Sequence, residues 1–376
     1  MEESARKERL MSLDVLRGMD MIYLTIAYLV IRPLLTLMGK EKGAAYNFLT
    51  THPWEGFSGY DIIMPMFIFM CGAAIPFALG KRMDADGRPA KGFWRHVFSR
   101  AAVLWVLGMA SQGKLLTFDI DLISIFCNTL QTIAVGYVIT AAAMCARRRC
   151  VQYAVTAALP IGYGIAMAVW GDYGEHTNLA VTLDRHICAL IYPASSKWAN
   201  PTTTYTWFAT VPMFGFMSLC GFHATNVIRS AAGKWRKAGV LGMGGLAMLA
   251  AGLVAERCGI PCIKHVFTFS FTLQAMGWCV LMLDALYVII DVLGFRRGWW
   301  LAVLYGQTSL AAYMLDSVLN GVPQCAAVKL ASGLADKLPE RARPLVLGLA
   351  AFAVITFCLH VWRCYKQASA AKRRSV

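Results

Sequence analysis

Charge is scarce in this 376-residue chain. Only 15% of it is charged, and acids are the scarcer sign, with 21 Asp and Glu against 36 Lys and Arg. A soluble domain is nearer a quarter charged, so a water-exposed globule of this size is excluded. Nucleotide motifs are missing too: there is no P-loop and no GxGxxG in a strand–helix context. HExxH and the GxSxG elbow are also absent, which disfavours a nucleotide-hydrolysing pump. The seven histidines, at positions 52, 96, 176, 186, 223, 265 and 360, show no ligand spacing, so no metal is expected. No CxxC pair occurs. Cysteines inside apolar runs (Cys71, Cys127, Cys145, Cys220, Cys279, Cys358) read as small buried hydrophobes. Cys258 and Cys262 flank one connection, where an oxidising compartment would permit a disulfide. No tandem repeat and no matching pair of broken helices is visible, and the apolar run after Met1–Leu10 has no small-residue cleavage site.

What the chain has in abundance is apolar length. It is 58% hydrophobic with a mean hydropathy of +0.53. Several runs approach the ~20 apolar residues that cross a bilayer. The expected fold is all-α, a polytopic transmembrane bundle of about ten spans. They fall near 18–38, 60–80, 97–116, 123–146, 151–170, 204–228, 238–256, 265–291, 299–320 and 344–363. With the N-terminus inside, 24 of the 36 Lys and Arg fall on the inner side, which predicts N-in and C-in. This charge pattern reads as topology, so no nucleic-acid partner is expected. The simplest organisation is one transmembrane domain over residues 1–376. It has cytoplasmic tails at 1–17 and 364–376 and a long external loop at 171–203.

Four constellations carry candidate chemistry. The stretch His52-Pro53-Trp54-Glu55 runs on to Asp61 at the edge of an apolar segment, where ionisable groups are costly to hold. His52 has the chemistry of a general base or transient nucleophile, and Asp61 that of its orienting acid. Glu55 competes for that role, and Trp54 also reads as an interfacial belt residue. In the second constellation Ser12 and Asp14 suit a helix start, and Arg17 lies three residues on, within reach of Asp14. The pair reads either as a membrane-edge ion pair or as a cationic seat for a phosphate-bearing cofactor. The third, Gln112, Lys114, Asp119, Asp121, Asn128 and Gln131, reads as interhelical hydrogen bonding or a polar cavity. The fourth, Gln307, Thr308, Ser309, Tyr313, Asp316 and Asn320, predicts one polar stripe on a helix.

Taken in order, Ser12-Leu13-Asp14-Val15-Leu16-Arg17-Gly18, His52…Trp54-Glu55-Gly56 and Tyr60-Asp61-Ile62-Ile63-Met64-Pro65 resemble the heparan-α-glucosaminide N-acetyltransferase family. The likeness is greatest to the family's bacterial relatives, some of which carry the label DUF5009 or the name of N-acetylglucosamine-related transporters. Leu130-Gln131-Thr132-Ile133-Ala134, Leu183-Asp184-Arg185-His186, Pro261-Cys262-Ile263-Lys264 and Tyr305-Gly306-Gln307 extend the likeness along the chain. The resemblance implies a transmembrane acyltransferase fold in a bacterial inner membrane. It also implies acetyl transfer from cytoplasmic acetyl-CoA to an extracytoplasmic amino sugar, with His52 and Asp61 catalytic. Arg17, Asp14 and Gln131 are then expected near the cofactor, and Trp54, Glu55, Asp184 and Gln307 near the saccharide. A membrane carrier for the amino sugar or its N-acetyl form is the alternative. The expected partners are the lipid bilayer, a small saccharide and, as one option, a second copy of the chain in a homodimer.

Overall fold

The computed structural model describes residues 10–41, 43–50, 53–84, 87–113, 115, 119, 123–146, 148–196, 198–199, 205–317 and 321–372. It is 74% helical, with no strand among the described residues. Fourteen helices are used below: α1 (Met11–Leu37), α2 (Ala44–Thr50), α3 (Ile63–Ala78), α4 (Phe93–Ala110), α5 (Thr129–Met144), α6 (Arg149–Trp170), α7 (Leu179–Ile191), α8 (Val211–Arg229), α9 (Lys234–Arg257), α10 (Phe269–Val292), α11 (Trp300–Gln307), α12 (Ser309–Ser317), α13 (Val322–Ala335) and α14 (Arg343–Lys372). Seven of the described helices are long and apolar enough to cross a membrane: α1, α3 with its leading turn, α6, α8, α9, α10 and α14. Every expected span coincides with a helix, but α4, α5 and the α11–α12 pair are not among those seven. In α6 and α14 only 22% of the apolar window is buried, and Val169 and Phe357 stand exposed. That surface suits lipid, as in a multi-pass membrane protein.

The chain forms two compact units. The first holds Met1–Thr51, Ser58–Ile63 and Met282–Val376; the second holds His52–Phe57 and Met64–Leu281. In the first unit α1 packs on α11 through glycine. A Cβ on Gly18 would collide with the Ala302 carbonyl, and one on Gly306 with the Asp14 carbonyl. Without a hydrophobic drive between helices in lipid, such close backbone approach is what dispersion needs. Two π turns fall in this unit, Ala27–Ile31 in α1 and Tyr287–Val292 at the end of α10. Pro33 lacks an N–H, so it cannot bond the Leu29 carbonyl one turn back. That carbonyl instead lies against Gly348 of α14, where a side chain would not fit.

The second unit packs α3, α4, α5 and α8 around Ile75, Phe93, Val97, Tyr137, Leu219 and Phe222. Gly72 and Gly221 bring α3 and α8 backbone to backbone. Thr225 donates from its hydroxyl to the Ala73 carbonyl at 2.8 Å, and Thr140 to the Ser218 hydroxyl at 2.7 Å.

Three expectations about connections change. The connection at 171–203, expected to be one long external loop, contains α7, opened by Asn178, whose side chain accepts the Val181 N–H at 2.9 Å. The polar stripe through Gln307 and Tyr313 is interrupted, because the helix breaks at Thr308 and restarts at Ser309. Ser12 caps nothing: it sits inside the first turn of α1, fully buried, after an uncapped start at Leu10. No disulfide joins Cys258 and Cys262.

Candidate functional site

His52 lies outside the described residues, as do Lys114, Asp121, Lys197, Asn320 and the side chain of Asp316. The residues that follow His52 are described, and they dock on one loop of the second unit. Gly56 donates its N–H to the Cys262 carbonyl at 2.8 Å. Trp54 meets the His265 ring edge-on, with centroids 5.3 Å apart at 89°. Tyr205 stacks on that imidazole at 4.1 Å and 25°, and Trp207 stacks on Tyr205 at 5.9 Å and 24°. Trp54, His265, Tyr205 and Trp207 are all half-buried, so the row keeps solvent-facing ring surface. Glu55 is exposed beside it.

The loop that carries His265 is held rigidly. Its carbonyl accepts the Thr206 N–H at 3.1 Å. The next carbonyl, of Val266, accepts the Tyr163 hydroxyl at 2.7 Å. Phe267 adopts φ 45°, a left-handed conformation costly for an aromatic residue, and it is the one non-glycine with positive φ among the described residues. Strain of this kind persists where surrounding bonds over-determine it and clusters at binding sites. Here Ile263 and Thr268 close the turn with reciprocal backbone and hydroxyl bonds.

Asp184 turns out to shape this row. Its two oxygens accept the N–H groups of Trp207 at 2.6 Å, Phe208 at 3.3 Å and Ala209 at 2.8 Å. Burial pushes its carboxyl up, while the three amide donors pull it back. A carboxylate that accepts three amides fixes the turn into α8, and with it the Trp207 ring. Gln131 is likewise spent on structure: its amide accepts the Cys127 N–H at 2.9 Å and donates to the Ile125 carbonyl at 2.5 Å. Asn128 caps α5 and donates to the Ser111 hydroxyl at 2.6 Å. Gln112 pairs with both backbone groups of Ser124. The amide cluster therefore acts as the glue between α4 and α5.

In the first unit Asp61 closes a capping box: its carboxylate accepts the Ser58 N–H at 2.8 Å, ahead of α3. Its neighbour Tyr60 is flanked edge-on by Tyr28 at 5.7 Å and Tyr23 at 6.2 Å. The Arg32 guanidinium lies 4.4 Å above Tyr28 and donates to the Thr50 carbonyl at 3.0 Å. The π turn before Arg32 re-aims this end of α1, and such turns recur at functional sites. At the other end of α1, Gln307 reaches the buried Asp14 carboxylate at 3.5 Å, with half-buried Arg17 on the same helix. Gln307 was expected on the saccharide side and Asp14 on the cofactor side, yet they stand together.

Sequence reasoning passed over His265, Tyr205 and Arg32. For His265 it looked for ligand spacing, when the signal was aromatic density just ahead of α8, within the span expected at 204–228: Tyr205-Thr206-Trp207-Phe208. Comparison with known proteins finds no matching family model and no matching curated protein.

Proposed function

We propose that this chain is a transmembrane acetyltransferase that passes an acetyl group from acetyl-CoA on its basic, cytoplasmic side to an extracytoplasmic amino sugar. The observation that carries this reading is the Trp54–His265–Tyr205–Trp207 row. Half-buried aromatic rings present broad apolar faces with polar edges, which suits the C–H faces of a pyranose. Imidazole is the side chain most often used as a general base, and His265 places one within the row. The base, His265 or the His52 that opens the same stretch, accepts the proton lost as the sugar nitrogen bonds to the acetyl carbon. The C–S bond breaks, and the thiolate leaves to take up a proton from solvent. Asp61, locked in its capping box, then acts on the fold at the start of α3 more than on the proton.

Three side chains test the reading in the purified full-length protein, with labelled acetyl-CoA and glucosamine. His265→Ala or His52→Ala should lower kcat by about 100-fold, the typical worth of a general base. Trp54→Ala should raise the acceptor KM about 10-fold with a smaller effect on kcat. Unchanged turnover in all three would sink the proposal.

A carrier for the amino sugar is the second reading, favoured by a different observation. Asp20, in the first span, is buried, and its Oδ2 has no partner among the described residues; Asp284 is half-buried, and its Oδ1 likewise lacks one. Intramembrane carboxyls of this kind mark ion or proton pathways. Uptake of labelled N-acetylglucosamine that survives His265→Ala and stops with Asp20→Asn would favour it.

A further inference from the structure

The second unit contains a cavity that neither reading uses. Two adjoining lobes of about 330 Å³ and 440 Å³ share Arg149, Gln152, Asn226 and Ser230 in their walls. The smaller lobe adds His223, Arg236 and Lys237, and the larger adds Arg229. No Asp or Glu is among the described residues that line either lobe. A positive-inside bias accounts for cations in connections; it does not account for their gathering on one concave surface.

The placement of these cations costs energy. Arg149 is the first residue of α6, and Arg236 and Lys237 lie in the first turn of α9. Helix N-termini carry partial positive charge and favour anions, so cations there are unfavourable. Both starts lack a side-chain cap and have no acidic residue in the first turn. An anion seated among them would reverse the sign of the electrostatic energy. Arg229 and His223 of the wall are already committed. Arg229 donates to the Pro76 carbonyl at 2.9 Å. Thr156 gives its hydroxyl proton to the Gln152 carbonyl at 2.7 Å, so at 2.9 Å it accepts from His223 Nε2. The His223 ring is stacked on Tyr153 at 4.6 Å.

We propose that this cavity binds a phosphate-bearing ligand, with Arg149, Arg236 and Lys237 supplying the charge. Guanidinium groups match phosphate oxygens bidentately, and a lysine serves as a point charge. The shared chemistry is a phosphate ester from one of two sources: a soluble adenosine bisphosphate, or the headgroup of an anionic phospholipid. The proposal stands apart from acetyl transfer, since a carrier would hold a phospholipid there equally well.

The test uses the full chain in neutral detergent. Adenosine 3′,5′-bisphosphate is titrated calorimetrically, and cardiolipin, phosphatidylglycerol and phosphatidylcholine are offered in native mass spectrometry. Binding of the bisphosphate that weakens at least 10-fold in Arg149→Gln/Arg236→Gln/Lys237→Gln assigns a soluble ester. Retention of the two anionic lipids over phosphatidylcholine, lost in the same variant, assigns a headgroup. Arg297→Gln, on an exposed connection of the first unit, should change neither. If the triple variant is not recovered folded, Arg149→Gln and Lys237→Gln are read singly, each with about a 3-fold loss. The proposal is overturned if neither probe binds, or if the variants bind as the unaltered protein does.

Discussion

At the scale of single residues, the carboxylates divide by what holds them. Asp184 accepts three backbone amides at the entry to α8. Hydrogen bonds to charged groups are worth about 1.5–3 kcal/mol each, and a donor left unsatisfied costs a similar amount. Asp184→Asn sets an amide N–H₂ against N–H donors, so we expect it to destabilise the fold by about 2–3 kcal/mol. A melting curve in detergent reads this as a lower Tm, and an unchanged Tm would show that the Trp207 turn holds itself. Asp172 is the contrasting case. The Thr177 hydroxyl, and then the Gly174 amide, hold its carboxyl below the usual carboxylate range. Its folded pKa is therefore depressed, so its contribution is present above the unfolded value near ~3.9 and fades as pH falls through the folded value. An NMR titration of Asp172 should find its midpoint below that of the Asp172 carboxyl in a Thr177→Ala variant. The sequence marked Asp184 as important without indicating how, because a carboxylate that binds sugar and one that binds backbone have the same letter and the same setting. His265 was invisible for the opposite reason. Its significance comes from three rings distant in sequence, and only tertiary packing brings Trp54 to it.

Elements were far more legible. Apolar length places a helix at every expected span, since a segment buried in lipid must satisfy its own backbone bonds. The breaks were harder to see. Gln307 and Tyr313 share a helical period on paper, yet the turn at Thr308 separates α11 from α12. The amphipathic α7 hid inside what composition reads as a loop, although Asn178 stands at its start as a capping residue. Helix pairing rests on particular glycines, and that is testable. Gly18→Ala and Gly306→Ala each put a Cβ into a backbone carbonyl. Overpacking of this kind costs about 1–3 kcal/mol or more, so both should lower Tm. Gly244→Ala, in α9, meets open space and should be neutral or stabilising by up to about 1 kcal/mol. Equal effects at all three positions would remove the close-packing account of α1 against α11.

For the whole molecule, composition alone identifies a multi-pass helical membrane protein, and the seven long apolar helices agree with it. The division into two compact units was not legible, because it depends on which helices pack together; the stretch from His52 to Ile63 is itself shared between them. The candidate sites divide in the same way. The aromatic–histidine row and the basic cavity belong to the second unit, while the tyrosine–arginine cluster and the buried Asp20 belong to the first. The central claim is that the chain carries an acetyl group from one face of the membrane to an amino sugar on the other. It is tested most directly with the protein in sealed vesicles, with labelled acetyl-CoA confined to one side and glucosamine to the other. The account predicts labelled N-acetylglucosamine on the glucosamine side, made by the unaltered protein and reduced about 100-fold by His265→Ala or His52→Ala. Label that stays entirely with acetyl-CoA, while the same vesicles move N-acetylglucosamine across the bilayer, would contradict it.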